Sequence, residues 1–317
     1  MKMKINRLLY RSLTIITLCF SKEAKIRESW AALLNSNFEQ VHATHHINNL
    51  IRQNAIPSSK MEKDLLDKIG IKVLDGKLLV MMPEQMNEIY QTSHFNIHYD
   101  TDGSSGSVSL NDVNNNSVPD YVENMGLIFE NVYYFFKDSM GYDITFLNSQ
   151  NVGNNKYEIF IDNLPQNYFA ITYTTSFINQ ASTSCGSYIK MRNNYNGAAF
   201  QNITELENIK ITAAHEFFHA IQFSYNCYER FWLMEATAVW SEDEIYNEIN
   251  DHYRYMPSWF QNSAKPIDDE SSHMYGSFIF FQYIDEHLGG HETIKNIWER
   301  SRSNANSVND VSCLLYT

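Results

Sequence analysis

Residues 213–225 read AAHEFFHAIQFSY, and the pentapeptide His215-Glu216-Phe217-Phe218-His219 inside them sets the first expectation. A spacing of four puts both imidazoles on one face of a helix, one turn apart, with Glu216 beside them. Ala213, Ala214 and Ala220 allow close packing, while Ile209, Ile211, Phe217, Phe218 and Ile221 surround the polar trio with apolar side chains. Buried polar groups without partners cost roughly 2–7 kcal/mol each, and a cation removes that cost. Core histidines bonded to protein neighbours are the competing reading.

A catalytic zinc needs three protein ligands and one open position. His215 and His219 supply two, and Glu235, sixteen residues after His219 in FWLMEATAVWSEDE, is the expected third. The intervening SYNCYERF is long enough to fold a second helix back on the first, and Cys227 within it is assigned to packing. Glu242 and Asp243, two helical turns beyond Glu235, are expected to accept a hydrogen bond from a ligand histidine. Zinc in such a set activates a water, Glu216 takes the water's proton, and the chemistry is amide hydrolysis. The transition-state oxyanion wants a donor, for which HMYGSF offers His273 and Tyr275, with Tyr275 preferred.

Further out, HFNIHY (94–99), KYEIFID (156–162) and SYIKMR (187–192) alternate as strands. Helical patterns follow Asp120, run through residues 203–225 and 231–248, and recur in SFIFFQYIDEHLG and IKNIWERSR. Few strands beside several helices predict an α+β fold with a small sheet. A free edge on SYIKMR next to the zinc would hold an extended peptide by strand addition.

Residues 1–21 carry Lys2, Lys4, Arg7 and Arg11 ahead of a short apolar run, Leu13 to Phe20. A membrane-spanning helix needs about 20 apolar residues, so a signal peptide and export are expected rather than a stable span. A buried amphipathic start to the first helix is the alternative. Residues 22–92 read as a charged helical N-terminal region, either a pro-segment or a plain subdomain, and residues 93–317 as the catalytic domain. His42, His45 and His46 could reach a metal, but a solvated helix face is the expected place for them. Beyond Cys19, the cysteines Cys185, Cys227 and Cys313 permit one disulfide at most. A formal charge of −13 disfavours nucleic acid as a partner.

LNDVNNNSVPDYVENM places Asp112, Asn114, Asn116, the Val118 carbonyl, Asp120 and Glu123 at positions one, three, five, seven, nine and twelve of a calcium loop. Ser117 stands at position six, where glycine is usual. An Asn-rich turn before a helix started by Pro119 is the alternative.

HFNIHYDTDG, LNDVNNNSVPDYVENM, AAHEFFHAIQFSY, FWLMEATAVWSEDEIYNE and HMYGSFIFFQYIDEHLG, in that order, resemble a family of secreted bacterial zinc metalloproteases of the gluzincin type, related at the zinc site to the thermolysin-like enzymes. The resemblance runs from about Ser93 to about Arg302. It implies a zincin-like domain, zinc on His215, His219 and Glu235, Glu216 as base, and a peptide or protein substrate. Tyr275 carries over more loosely, and Ser117 departs from the family's glycine. The sequence therefore predicts a secreted zinc metallopeptidase with an additional calcium site; the alternative is a secreted binding or adhesion protein that keeps the fold and has lost the activity.

Overall fold

The computed structural model describes residues 22–34, 42–84, 86–104, 106–144, 156–165, 167–177 and 183–302. The expected export segment, Cys19 and Cys313 lie outside them. In chain order the elements are a helix over residues 22–33 (α1), α2 (Ala43–Gln53), α3 (Lys60–Ile69), β1 (Ile71–Leu74), β2 (Lys77–Val80), β3 (Glu88–Gln91), β4 (Phe95–Tyr99), α4 (Asp120–Tyr134), β5 (Tyr157–Asp162), β6 (Ala170–Phe177), β7 (Cys185–Arg192), α5 (Glu205–Asn226), α6 (Phe231–Ile245), α7 (Met256–Gln261), α8 (His273–Gly276), α9 (Phe278–His287) and α10 (His291–Ser301).

The fold is α+β. β1 and β2 form a separate hairpin, and the other strands form a sheet of order β3-β4-β5-β7-β6. β4, β5 and β7 are parallel; β3 and β6 close the two edges antiparallel. Alternating side chains face opposite sides of a strand, and here both sides are buried. Ile97, Ile159, Ile161, Ile189 and Met191 join the larger core with α4 and α5, whereas Phe160, Ile171, Tyr173 and Tyr188 join a second core with Trp30, Ile47, Leu50, Leu66 and Ile69. The N-terminal helices thus cover one face of the sheet and the HExxH helix the other.

α5 starts at a capping box, in which the Thr204 hydroxyl accepts the Glu207 N–H and Glu207 accepts the Thr204 N–H. From Asn208 to Asn226 nearly every side chain is buried, so the helix runs through the core rather than along a surface. Phe217 meets Phe95, Phe129, Tyr133, Phe136 and Tyr157, and truncating such a phenylalanine costs about 3–5 kcal/mol. α4 approaches the sheet through Gly126, where a Cβ would fall 2.8 Å from the Tyr90 ring and 2.9 Å from Thr92 Cγ2.

Four expectations change. The N-terminal region is not all helical, because the β1–β2 hairpin interrupts it and β3 belongs to the main sheet, so no break in structure falls at residue 92. β7 lies between β5 and β6 and has no free edge; β6, rich in β-branched and aromatic residues, is the edge strand beside it. Cys227 is not a packing thiol but is bonded to Cys185, with Cα atoms 5.7 Å apart. His42 and His45 do not face solvent, and both are buried. No helix among the described residues is long and apolar enough to cross a membrane.

Candidate metal centre

α5 and α6, joined by the short loop Cys227–Arg230, bring the HExxH residues and Glu235 together. The Glu235 carboxylate is fully buried, and its oxygens lie 3.3 Å from His215 Nε2 and 3.3 Å from His219 Nε2. The two Nε2 atoms are 3.0 Å apart. Their outer nitrogens are held: His215 Nδ1 meets Glu242 Oε1 at 2.7 Å and His219 Nδ1 meets Gln222 Oε1 at 2.8 Å. Gln222 donates its amide to the Met234 carbonyl, which fixes Oε1 toward His219.

These bonds decide the tautomers. Carboxylate and amide oxygens only accept, so each Nδ1 carries a proton and each Nε2 is the nitrogen turned toward Glu235. The two Nε2 atoms and the carboxylate converge in a buried site, where His215, His219 and His45 nitrogens each stand 3.3 Å from a Glu235 oxygen. The arrangement is repulsive unless positive charge sits between its members. Burial opposes a charge on His215, but Glu235 and Glu242 outweigh it and push the imidazole up to about 10. Burial likewise opposes charge on Glu235, yet His219, His45 and His215 hold its carboxyl well below the usual range. The field that would draw a proton to this spot also suits a divalent cation, and a set of imidazole nitrogens with a carboxylate fits zinc.

Glu216 sits next to this cluster. Thr172 Oγ1, on the α5 side of β6, donates to Glu216 Oε2 at 2.6 Å, and Thr44 Oγ1 of α2 donates to the same oxygen at 2.8 Å. α2 also delivers histidines. His45 Nδ1 lies 3.3 Å from Glu235 Oε1, and one ring nitrogen of His42 falls with ligand atoms of His215 and Glu235 in a group all within 4.8 Å of one another. Burial, then His215 and Arg254, hold the His42 pKa well below the ordinary value, so its ring is neutral.

Tyr275 reaches the cluster, its hydroxyl 3.1 Å from His45 Nδ1 and its ring stacked on Tyr255. His273 does not: its ring lies parallel to Trp259 at 5.5 Å, because α8 turns it toward α7. His42 belongs to the site rather than to a solvated face, and Thr44, Thr172, Gln222, Arg254 and Tyr255 join it without any motif to mark them. Thr172 N donates to Thr44 Oγ1 at 2.9 Å, and Arg254 donates to the Tyr255 hydroxyl beside His42.

The calcium-type loop is separate and exposed. Asp112 accepts the Asn116 and Ser117 N–H groups, Asn114 and Asn116 donate to Glu123, and Asp120 accepts the Val113 N–H. Four of the expected side chains therefore converge. Ser117 takes φ 71°, the left-handed conformation in which position six normally uses glycine. Asp120 turns outward to Asn111 and Val113 instead of toward Glu123.

Fold and site together define an α+β protein with a buried histidine–glutamate cluster between a helix pair and a mixed sheet. The chain belongs to a family of unknown function (DUF6055), which matches residues 77–312. No curated protein and no solved structure matches it. His215, Glu216, His219, Glu235 and Tyr275 fall inside the matched span, whereas α1, α2, α3 and β1 precede it.

Proposed function

We propose that the protein is a zincin-like zinc peptidase, with His215, His219 and Glu235 holding the metal and Glu216 acting as general base. The observation that carries this reading is the buried Glu235 carboxylate, faced at 3.3 Å by the Nε2 atoms of His215 and His219 while Glu242 and Gln222 hold their Nδ1 sides. Zinc bound there supplies the Lewis acidity that polarises a carbonyl oxygen and acidifies water. Glu216 accepts the proton of the attacking water and returns it to the leaving amine, while Thr172 fixes the orientation of its carboxylate. Glu242 and Gln222 hold the ligand imidazoles in the required tautomer. Tyr275 is the donor to the developing oxyanion.

Export belongs to the same reading. The Cys185–Cys227 bond supports it, since disulfides persist in oxidising compartments. Calcium in the Asp112–Glu123 loop is its third part, supported by the left-handed Ser117.

Metal analysis of the purified protein combined with a cleavage assay on an unfolded protein tests the reading. Stoichiometric zinc is expected, with metal-dependent cleavage where α2, whose Thr44 holds the Glu216 carboxylate, is displaced. Zinc retained without cleavage of any unfolded substrate, with the site freed of α2, would favour a binding protein that keeps the fold, and absence of zinc would end the proposal.

A further inference from the structure

α2 meets each working part of the site. His42 and His45 stand beside the metal ligands, as described above. Thr44 Oγ1 occupies the Glu216 carboxylate. The third contact is with the sheet. β6 is an edge strand, so its outward N–H and C=O groups have no strand partner among the described residues. At Thr172 both are taken by α2 side chains: Thr44 Oγ1 accepts the N–H at 2.9 Å, and Asn48 Nδ2 donates to the C=O at 3.4 Å. These are the groups that an extended peptide would use in strand addition beside HExxH.

With α2 in place little room remains between His42 and Glu216. The cavity between His42, Phe169, Thr212, His215, Glu216 and Arg254 holds about 10 Å³, the space of one water. Adding an imidazole to three protein ligands also fills the position that catalysis needs open. α2 lies outside the span matched by the family, while every residue assigned to zinc and base chemistry lies within it.

We infer that α2 is an inhibitory cover, which takes the place of an extended peptide on the β6 edge and puts His42 on the metal in the position of the substrate. The inference rests on the metallopeptidase reading and specifies its ligand class, an extended peptide backbone. It also makes the full chain a latent form. α2 is fastened to the end of α5 as well, where Arg52 donates to the Cys227 and Glu229 carbonyls, so its release requires those bonds and the packing of Ile47 and Leu50 to open.

The test uses the full chain loaded with cobalt(II) in place of zinc and titrated with acetohydroxamate, a small chelator of open metal positions, followed by visible absorption. His42→Ala is expected to bind acetohydroxamate at least tenfold more tightly than the parent protein. Equal affinities would overturn the inference while leaving the metal site intact. Hydrogen exchange of residues 43–53 in the parent protein provides a second measurement that does not depend on the variant folding. Saturating acetohydroxamate should raise exchange there at least tenfold, and binding without any change would overturn the inference as well. Failure of the parent protein to take up cobalt would remove the metal reading itself, and the inference with it. Because these readouts follow displacement rather than turnover, a site that opens but cleaves nothing counts against the peptidase reading alone.

Discussion

The histidine–glutamate cluster and the Asp112–Glu123 loop solve the same problem, gathering oxygen and nitrogen donors, in opposite ways. The loop takes its donors from twelve consecutive residues, stays exposed, and satisfies its carboxylates with its own amides. The cluster draws on α2, α5 and α6, is buried throughout, and sets the Glu235 carboxylate against imidazole nitrogens. In the loop each acid already has a partner, so a cation must compete with existing hydrogen bonds. In the cluster it would replace the proton that Glu235 and Glu242 draw onto His215. Burial raises the value of a cation because the alternative, an unpaired carboxylate in a low dielectric, is so costly.

Substitutions sharpen this contrast. Glu216→Gln should lower cleavage by about 10²–10⁴-fold, the range for removal of a general base, while zinc content is unchanged by metal analysis. Equal loss of metal and activity would move Glu216 among the ligands. Glu235→Ala removes one of three protein ligands and should weaken zinc by roughly 10²–10³-fold, read as loss of stoichiometric metal on dialysis. Glu242→Ala leaves the ligands in place but frees His215 Nδ1, so its affinity should fall only about 10–100-fold. If Glu242→Ala emptied the site and Glu235→Ala did not, the third ligand would lie elsewhere.

The smallest effect belongs to the loop. Calcium at ten times its dissociation constant should stabilise the parent protein by about 1.4 kcal/mol, roughly 2–4 °C in Tm. Asp112→Ala should abolish that calcium-dependent shift with zinc unaltered. A parent protein whose melting ignores calcium would reject the loop as a site.

Local spacing explains what was legible beforehand. His215, Glu216 and His219 share one helix, Glu235 and Glu242 share the next, and a four-residue loop leaves those helices little choice of partner. Helix periodicity therefore placed them. Tyr275 follows from a looser argument, and His273, two residues away, points elsewhere because direction out of so short a helix is set by packing. His42, Thr44 and His45 contact the site across more than 170 residues of sequence, a relation no window of residues contains. A weaker signal was present: Ala43, Ile47 and Leu50 form an apolar stripe on α2, which argues for a helix packed on something. Its histidines and asparagines masked that stripe. β6 escaped notice since Thr172 and Thr174 look like solvent-facing positions, although Thr172 is wholly buried against Glu216.

The Cys185–Cys227 bond has a practical consequence for every measurement above. It joins the start of β7 to the residue after α5 and closes a loop of 42 residues, which in the chain-entropy account contributes about 4 kcal/mol. Dithiothreitol in an assay buffer would open this staple and, as a dithiol, also compete for a divalent ion. An apparent loss of metal under reducing conditions would then mix two causes. Samples should be handled without thiols, and any reduction carried out with a phosphine, so that a change in metal content reports on the imidazole and carboxylate donors alone.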